Sequence, residues 1–199
     1  MSRLSLTLAA GAALALAGVL SVADPASAQD RYTAVAVAND AKHAVGDTWR
    51  EILPDGERTT MQKIAPGVTR SVSAVAATVC TGYPYLCAWS TDHYTGNFWR
   101  YDMNNVYANT ANGVAHCWNL ASDANNHQKS WINRSDRRAT INNWINCNAA
   151  GGAFTFDAFN ATNPSDYDSG TCEDVNLFLA VPGQNWCTTY LATSIRASA

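Results

Sequence analysis

The 199-residue chain has few charged side chains and none of the local motifs that carry hydrolytic or nucleotide chemistry. Charged residues are 15% of the total, the net charge is −3, and there are only four His and three Glu. No H-E-x-x-H, G-x-S-x-G or phosphate-binding glycine loop occurs. The near-balanced charge offers no basic surface for nucleic acid or anionic lipid. We therefore expect a protein that is not an enzyme, takes no cofactor and binds no nucleic acid.

The N-terminus is typical of an export signal. Residues 4–23 are almost wholly apolar or small and follow a short start that contains Arg3. Asp24-Pro25 ends that run, and Ala26-Ser27-Ala28 has the small-x-small pattern that a signal peptidase accepts. The alternative is a retained membrane anchor, but no basic stop-transfer cluster follows. The sequence predicts a signal peptide at residues 1–28 and a secreted, extracellular protein without membrane contact after cleavage.

The chain lacks C-x-x-C, which weakens a zinc interpretation of its cysteines. His116 and Cys117 are adjacent, so in a strand their side chains would point to opposite faces. An even number of cysteines in an exported protein instead indicates up to three disulfides, whose pairing the sequence leaves open. The six cysteines are Cys80, Cys87, Cys117, Cys147, Cys172 and Cys187.

The cysteines divide the predicted mature chain. Residues 29–77 contain none and show no strong core periodicity, so we interpret them as an N-terminal extension or pro-segment, an appendage to the main domain. The alternative is a set of extra strands packed on that domain. Residues 78–199 hold all six cysteines and six of the seven Trp. Short apolar segments separated by Asn, Gly, Asp and Ser predict an all-β sandwich or barrel there.

One stretch is more specific than a generic strand pattern. Trp89, Tyr94 and Gly96 have the spacing aromatic, four residues, aromatic, one residue, glycine. This spacing resembles the signature of the βγ-crystallin Greek-key motif, in which the two aromatics pack over a folded hairpin and the glycine takes backbone angles that a Cβ forbids. A second, degraded copy is traced at Trp144 and Gly151. The resemblance implies a crystallin-like Greek-key β-sandwich cross-linked by disulfides.

Neighbouring residues narrow the resemblance. Cys80, the Leu86-Cys87 pair and the stretch from Ser130 to Asn133 are similar to secreted bacterial crystallin-like domains. These form a family of peptidase inhibitors related to the metalloproteinase inhibitors of filamentous bacteria. The family implies a cross-link between Cys80 and Cys87, and a partner that is an extracellular protease, inhibited through a disulfide-anchored loop. The candidate loop residues are Cys147, Asn148, Ala149 and Ala150.

Two other functions stay open. Secreted crystallin-like domains also include killer-toxin-like proteins, and a set of aromatic side chains suggests a carbohydrate- or cell-wall-binding module. We interpret the same rings primarily as core, because large aromatics are mostly buried. The set comprises Trp99, Tyr101, Trp118, Trp131 and Trp144.

Calcium is the remaining candidate ligand. Asn125, Asn126 and Ser130 follow the spacing by which many crystallin motifs hold calcium, but Lys129 stands where a hydroxyl ligand belongs. Calcium needs six to eight oxygen ligands, and an ammonium group supplies none. The sequence therefore disfavours a calcium site.

Overall fold

A computed structural model describes residues 25–53, 56–75, 80, 84–91, 93–120, 124, 127–149, 153–158, 168–171 and 194–199. Most of the predicted signal peptide lies outside these ranges. Within them, no helix has the length and apolar character needed to cross a membrane.

The described chain is mostly β-strand, which confirms the all-β class. Two helices and thirteen strands follow in this order: α1 Pro25–Lys42, β1 Thr48–Ile52, β2 Arg58–Ala65, β3 Val68–Ser71, β4 Tyr85–Trp89, β5 Phe98–Asp102, α2 Met103–Ala108, β6 Thr110–Ala111, β7 Val114–Ala115, β8 Cys117–Asn119, β9 Ser130–Asn133, β10 Arg138–Asn142, β11 Ala153–Phe156, β12 Asp168–Thr171 and β13 Ser194–Ser198. A 3-10 turn at Ile145–Cys147 separates β10 from β11.

The strands form two main antiparallel sheets. The large sheet has the order β1-β2-β3-β5-β4-β9-β12, and the small sheet has the order β11-β10-β13-β8. From β4 onward the strands of the two main sheets form two units of four, first β4, β5, β8 and β9, then β10, β11, β12 and β13. Each unit has three strands in one sheet and one strand in the other. The first unit leaves β8 in the small sheet, where it pairs with β13. The second unit leaves β12 in the large sheet, where it pairs with β9.

The two sheets enclose the main core. Trp99 and Tyr101 of β5 point into it, and so do Trp131 of β9 and Phe156 of β11, each at most 2% exposed. This confirms the prediction that these large rings are core residues, because alternation along β5 turns its odd positions towards the small sheet. Trp118 packs against the same cluster but is only partly buried.

The opposite face of the large sheet is also covered, which the sequence did not predict. Helix α1 lies over it and buries Tyr32 and Ala36. Phe98 and Arg100, the even positions of β5, are therefore as buried as their odd neighbours. Strand β5 has no solvent-exposed face, because one layer of structure covers each side of the sheet.

The N-terminal segment joins the large sheet. We favoured an appendage at residues 29–77, but β3 pairs with β5 in antiparallel register, with Val68 opposite Tyr101. Strands β2 and β1 continue the sheet outward. The structure thus has the other arrangement that the sequence left open, extra strands on the main domain. Periodicity was weak there because several of its buried strand positions are polar: Glu51, Thr59, Thr69 and Ser71.

Candidate binding site

The most exposed aromatic side chain of the described chain lies between β10 and β11. Trp144 is 52% exposed and the next residue, Ile145, is 56% exposed. They belong to residues 143–149, which we call the binding loop. With Val114, this loop lines an open hollow of about 670 Å³. Two adjacent exposed apolar side chains beside a hollow form a candidate contact surface.

The backbone of the binding loop changes direction sharply after Ile145. Trp144 is extended, with φ −113° and ψ 155°. Asn146 and Cys147 have φ values of 60° and 51°, in the left-handed region. Asn enters this region more readily than most residues, since its short side chain bonds locally. The consecutive left-handed residues turn the chain so that Trp144 and Ile145 stand at the outside of the bend.

Covalent and hydrogen bonds hold the loop at its C-terminal half. Cys147 forms a disulfide with Cys117 of β8. Its main-chain N–H donates to Ser194 Oγ at 3.0 Å, and that hydroxyl donates to the carbonyl of Trp144 at 2.6 Å. One serine of β13 therefore links both sides of the bend.

Asparagine side chains hold the middle of the loop. Oδ1 of Asn146 accepts from Nδ2 of Asn112 and from Nδ2 of Asn119, both at 2.8 Å. The main-chain N–H of Asn146 donates to Oδ1 of Asn119 at 2.6 Å. These bonds satisfy the polar groups of the strained residue and fix the loop to β8 and to the turn between β6 and β7. Little conformational entropy remains to be lost when a partner binds it.

The exposed apolar residues lie just before the predicted inhibitory segment and not within it. Cys147 is buried and serves as the anchor, while Asn148 and Ala149 are exposed. Ala150 and Gly151 lie outside the described residues. The exposed apolar surface comes instead from Trp144 and Ile145. Trp144, which we interpreted primarily as a core ring, is instead exposed, because it lies in the loop two residues after the end of β10. An aromatic-aliphatic pair just before an Asn-Cys dipeptide was the signal available in the sequence.

The Trp89–Gly96 hairpin is a packing feature. Trp89 is fully buried, and its ring meets that of Tyr94 edge-on at 5.8 Å between centroids. Gly96 has φ +91°, and a Cβ placed there would lie 2.4 Å from Ser90 Oγ. That hydroxyl accepts from the N–H of Asn97 at 2.9 Å, which closes the folded hairpin. The predicted role of these residues in backbone geometry matches the contacts they make.

The calcium candidates do not form a described site. Asn125 and Asn126 lie outside the described residues. Ser130 is fully buried, and its Oγ donates to the carbonyl of Thr91 at 2.6 Å and accepts from the N–H of Tyr94 at 3.2 Å. Its hydroxyl thus ties β9 to the hairpin. In the described part of the chain, no three His, Cys, Asp or Glu side chains are grouped to hold a metal.

A buried charge cluster, which the sequence reasoning missed, lies under α1. Arg100 Nη1 donates to Glu51 Oε1 at 2.9 Å, and Nη2 donates to Asp40 Oδ1 at 3.1 Å. Glu51 also accepts from the hydroxyl of Tyr32 at 2.5 Å and from Nε1 of Trp49 at 2.9 Å. The sequence signal for this cluster was a basic residue, Arg100, within the otherwise aromatic segment Phe-Trp-Arg-Tyr of β5.

The cluster holds one guanidinium and two carboxylates, and each carboxylate is bonded to the guanidinium. Burial alone would raise the pKa of Glu51, but the Arg100 guanidinium and the hydrogen bonds to the carboxylate lower that pKa to about 2. Burial raises the pKa of Tyr32 and Tyr85, despite the nearby guanidinium, so both phenols stay protonated and donate. The two carboxylates hold the pKa of Arg100 well above its ordinary value, against the effect of burial. Both carboxylates thus pair with Arg100 inside the fold, which indicates a structural role.

Two disulfides are present among the described residues, Cys80–Cys87 and Cys117–Cys147. Cys172 and Cys187 lie outside them. The first bond is the one that the crystallin resemblance implies. Disulfides form and persist in oxidising compartments, so they indicate an extracellular type of environment.

Comparison with known proteins finds no matching family model, curated protein or solved structure.

Proposed function

We propose that the chain is a secreted binding protein that inhibits an extracellular peptidase through the binding loop. The carrying observation is that Trp144 and Ile145 are exposed on a backbone that a disulfide and the asparagine bonds hold in place. A rigid loop with a large apolar side chain is what a tight interface needs, because such anchors contribute most of the binding energy. In this proposal the protein is a non-enzymatic inhibitor.

The strand arrangement supports a crystallin-like Greek-key fold as part of this proposal. Each unit from β4 onward keeps three strands in one sheet and gives its third strand to the other. The first unit carries the aromatic corner of Trp89, Tyr94 and Gly96. The two units then pack face to face around one core. These features support assignment to the secreted crystallin-like inhibitor family that the sequence resembles.

The loop geometry supports Trp144 and Ile145 as the residues that contact the peptidase in this proposal. A substrate-like segment is extended, and the left-handed Asn146 and Cys147 do not have that form. Trp144 does, and Ile145 begins the 3-10 turn that follows it. Thermolysin-like metallopeptidases prefer an apolar residue after the cut, which Ile145 supplies and Asn148 does not. We therefore place Trp144 and Ile145 in the peptidase cleft, with Cys147 as the anchor behind them.

Inhibition assays test this proposal directly. The secreted protein is titrated against a thermolysin-like metallopeptidase and a subtilisin-like serine peptidase, with hydrolysis of a peptide substrate as the readout. We expect Trp144→Ala and Ile145→Ser each to weaken inhibition by about tenfold or more, since each removes a central apolar contact. Val72→Ser is the matched control, because Val72 is equally exposed at 58% but lies elsewhere. Full peptidase activity at micromolar protein would refute the proposal.

A carbohydrate-binding function is the second candidate. The Trp144 ring lies in an open hollow whose rim carries Asn143 and Asn148, and sugars stack on aromatic faces while amides bond their hydroxyls. A glycan array separates the two functions. Saturable binding that Trp144→Ala abolishes, together with unaffected peptidases, would favour the carbohydrate module.

A further inference from the structure

A second groove lies along β1, the terminal strand of the large sheet. It has a volume of about 570 Å³ and runs between β1 and α1. It shares no residue with the binding loop, so its use is independent of the proposed inhibition. Its walls come from residues of α1 and of β1: Arg31, Tyr32, Val35, Asn39, Arg50, Glu51, Ile52 and Leu53.

Strand β1 presents an unpaired edge to this groove. It is the terminal strand of the large sheet, and within the described ranges no strand pairs with its outer side. The carbonyl of Asp47 accepts from the N–H of Lys63, and the N–H of Leu53 donates to Glu57. Odd-numbered residues of β1 thus bond towards β2. Because bonding direction alternates along an antiparallel strand, the main-chain groups of Arg50 and Ile52 point outward.

Apolar side chains line the groove on both sides. Val35 of α1 is 51% exposed and Ile52 of β1 is 61% exposed. Leu53 is buried and continues the same surface inward. An edge strand with exposed apolar neighbours is a template for pairing with another extended chain. Main-chain bonds then supply affinity, and side-chain pockets supply selectivity.

The available charge in the groove is positive. Arg31 and Arg50 are both exposed. Glu51, the one carboxylate among the lining residues, is 2% exposed and already bonded to Arg100, Tyr32 and Trp49. It therefore neutralises neither arginine. An occupant with carboxylates at the arginines would be attracted and held in register.

We propose that this groove binds an extended peptide segment that carries both an acidic and an apolar side chain on each of its two faces, added to the large sheet as a strand beside β1. The apolar side chains lie against Val35 and Ile52, and the carboxylates pair with Arg31 and Arg50. A second copy of this chain fits less well. Two β1 edges related by a two-fold axis would bring the arginines of both copies together, and like charges across paired strands are destabilising.

Calorimetry with a defined probe tests the proposal. The probe is the blocked hexapeptide Glu-Glu-Val-Val-Glu-Glu, which presents both kinds of side chain on each face of a strand, titrated into the full secreted protein at low salt. We expect saturable one-to-one binding. The double variant Arg31→Glu with Arg50→Glu should weaken it by about tenfold or more, because it reverses the charge of the groove. Arg196→Glu, an exposed arginine on β13, is the matched charge control and should stay within about twofold.

Strand addition has its own readout. Two probes are N-methylated on the two opposite sets of alternate residues, and both keep their side chains. The probe whose methylated edge faces β1 cannot donate to the carbonyls of β1 and should lose binding, while the other should still bind. Near-ultraviolet circular dichroism confirms that the double variant is folded. If that variant does not fold, Arg31→Gln with Arg50→Gln replaces it.

Three results would overturn the proposal. One is absence of binding at millimolar probe. Another is equal affinity for the two N-methylated probes, which would exclude strand addition, or equal affinity for the same hexapeptide with Lys in place of Glu, which would exclude charge selection. The third is a concentration-dependent dimer in sedimentation that Arg50→Glu abolishes, which would make a second copy the occupant.

Discussion

Arg100 of β5 and Glu51 of β1 form an ion pair with both side chains fully removed from solvent, at 2.9 Å between Nη1 and Oε1. Asp40 of α1 binds the same guanidinium at 3.1 Å through Nη2. The guanidinium of the main domain thus has both its carboxylates in the N-terminal segment. A buried charge without its partner costs several kcal/mol, so the two parts depend on each other.

Breaking this pair should destabilise the protein strongly. We expect Glu51→Gln to lower the free energy of unfolding by about 3–5 kcal/mol, because Arg100 stays buried with less compensation. Adding Arg100→Met to the same chain should recover part of the loss. Urea unfolding measures both. Asp136→Asn, at an exposed position, is the control and should change stability by less than about 0.5 kcal/mol. Additive losses in the double variant would contradict the pairing.

The same pair makes stability depend on pH in the acid range. The pKa of Glu51 falls from 4.5 in an exposed chain to about 2 in the fold. Its stabilising contribution is therefore fully present above about pH 4.5 and is lost as pH falls towards 2, by about 3 kcal/mol in total. Unfolding at a series of pH values measures this loss. In Glu51→Gln the fall over that interval should be smaller by this amount, and an unchanged pH profile would exclude the assignment.

The N-terminal segment should remain in the secreted protein. If residues 29–77 were cut away as a pro-segment, Arg100 would lose Asp40 and Glu51, and β5 would lose its partner β3. We expect the intact mass of the protein from culture medium to include this segment. A stable, folded species that begins near residue 78 would show that it is dispensable.

The two disulfides should differ in their contribution to stability. Cys117 and Cys147 are 30 residues apart, and Cys80 and Cys87 are 7 apart. By chain entropy, closing the longer loop contributes about 4 kcal/mol and closing the shorter about 2 kcal/mol. Replacing each pair by Ala and measuring urea unfolding compares them. A larger loss for Cys80/Cys87 would show that packing, rather than loop closure, dominates.

Gly96 should tolerate no side chain. Its φ of +91° is strained for any other residue, and the added Cβ would also meet Ser90 Oγ at 2.4 Å. We expect Gly96→Ala to cost about 2–4 kcal/mol. Gly113→Ala is the matched control, with φ +83° but open space around its Cβ, and should cost about 1 kcal/mol. Equal losses would mean that the hairpin relaxes around the methyl group.

Local features of the molecule could be predicted from the sequence. The Trp89–Gly96 hairpin involves eight consecutive residues, so its aromatic spacing and its glycine carry the needed geometry. The short alternating segments likewise predict strands, because alternation expresses the faces of a sheet directly. Cys147, which the sequence placed in the candidate loop, lies next to the exposed Trp144 and Ile145, but whether this loop binds a peptidase stays a prediction.

The exposure of the site residues was not predictable in the same way. Trp144 resembled a core aromatic by type, and only its position after β10 turns it to solvent. The packing of α1 on the outer face of β5 also could not be predicted. Helix α1 has no strong apolar stripe, and one of its buried residues is a carboxylate, Asp40, which pairs with Arg100.

By itself, the sequence determined the all-β class, the use of cysteines for disulfides and the corner hairpin, because each depends on residues near one another in the chain. Only the tertiary structure decided which partners meet at long range. Arg100 finds Glu51 and Asp40 across 49 and 60 residues. Burial, charge pairing and the exchange of β8 and β12 between sheets follow from how whole layers pack, which no local pattern encodes.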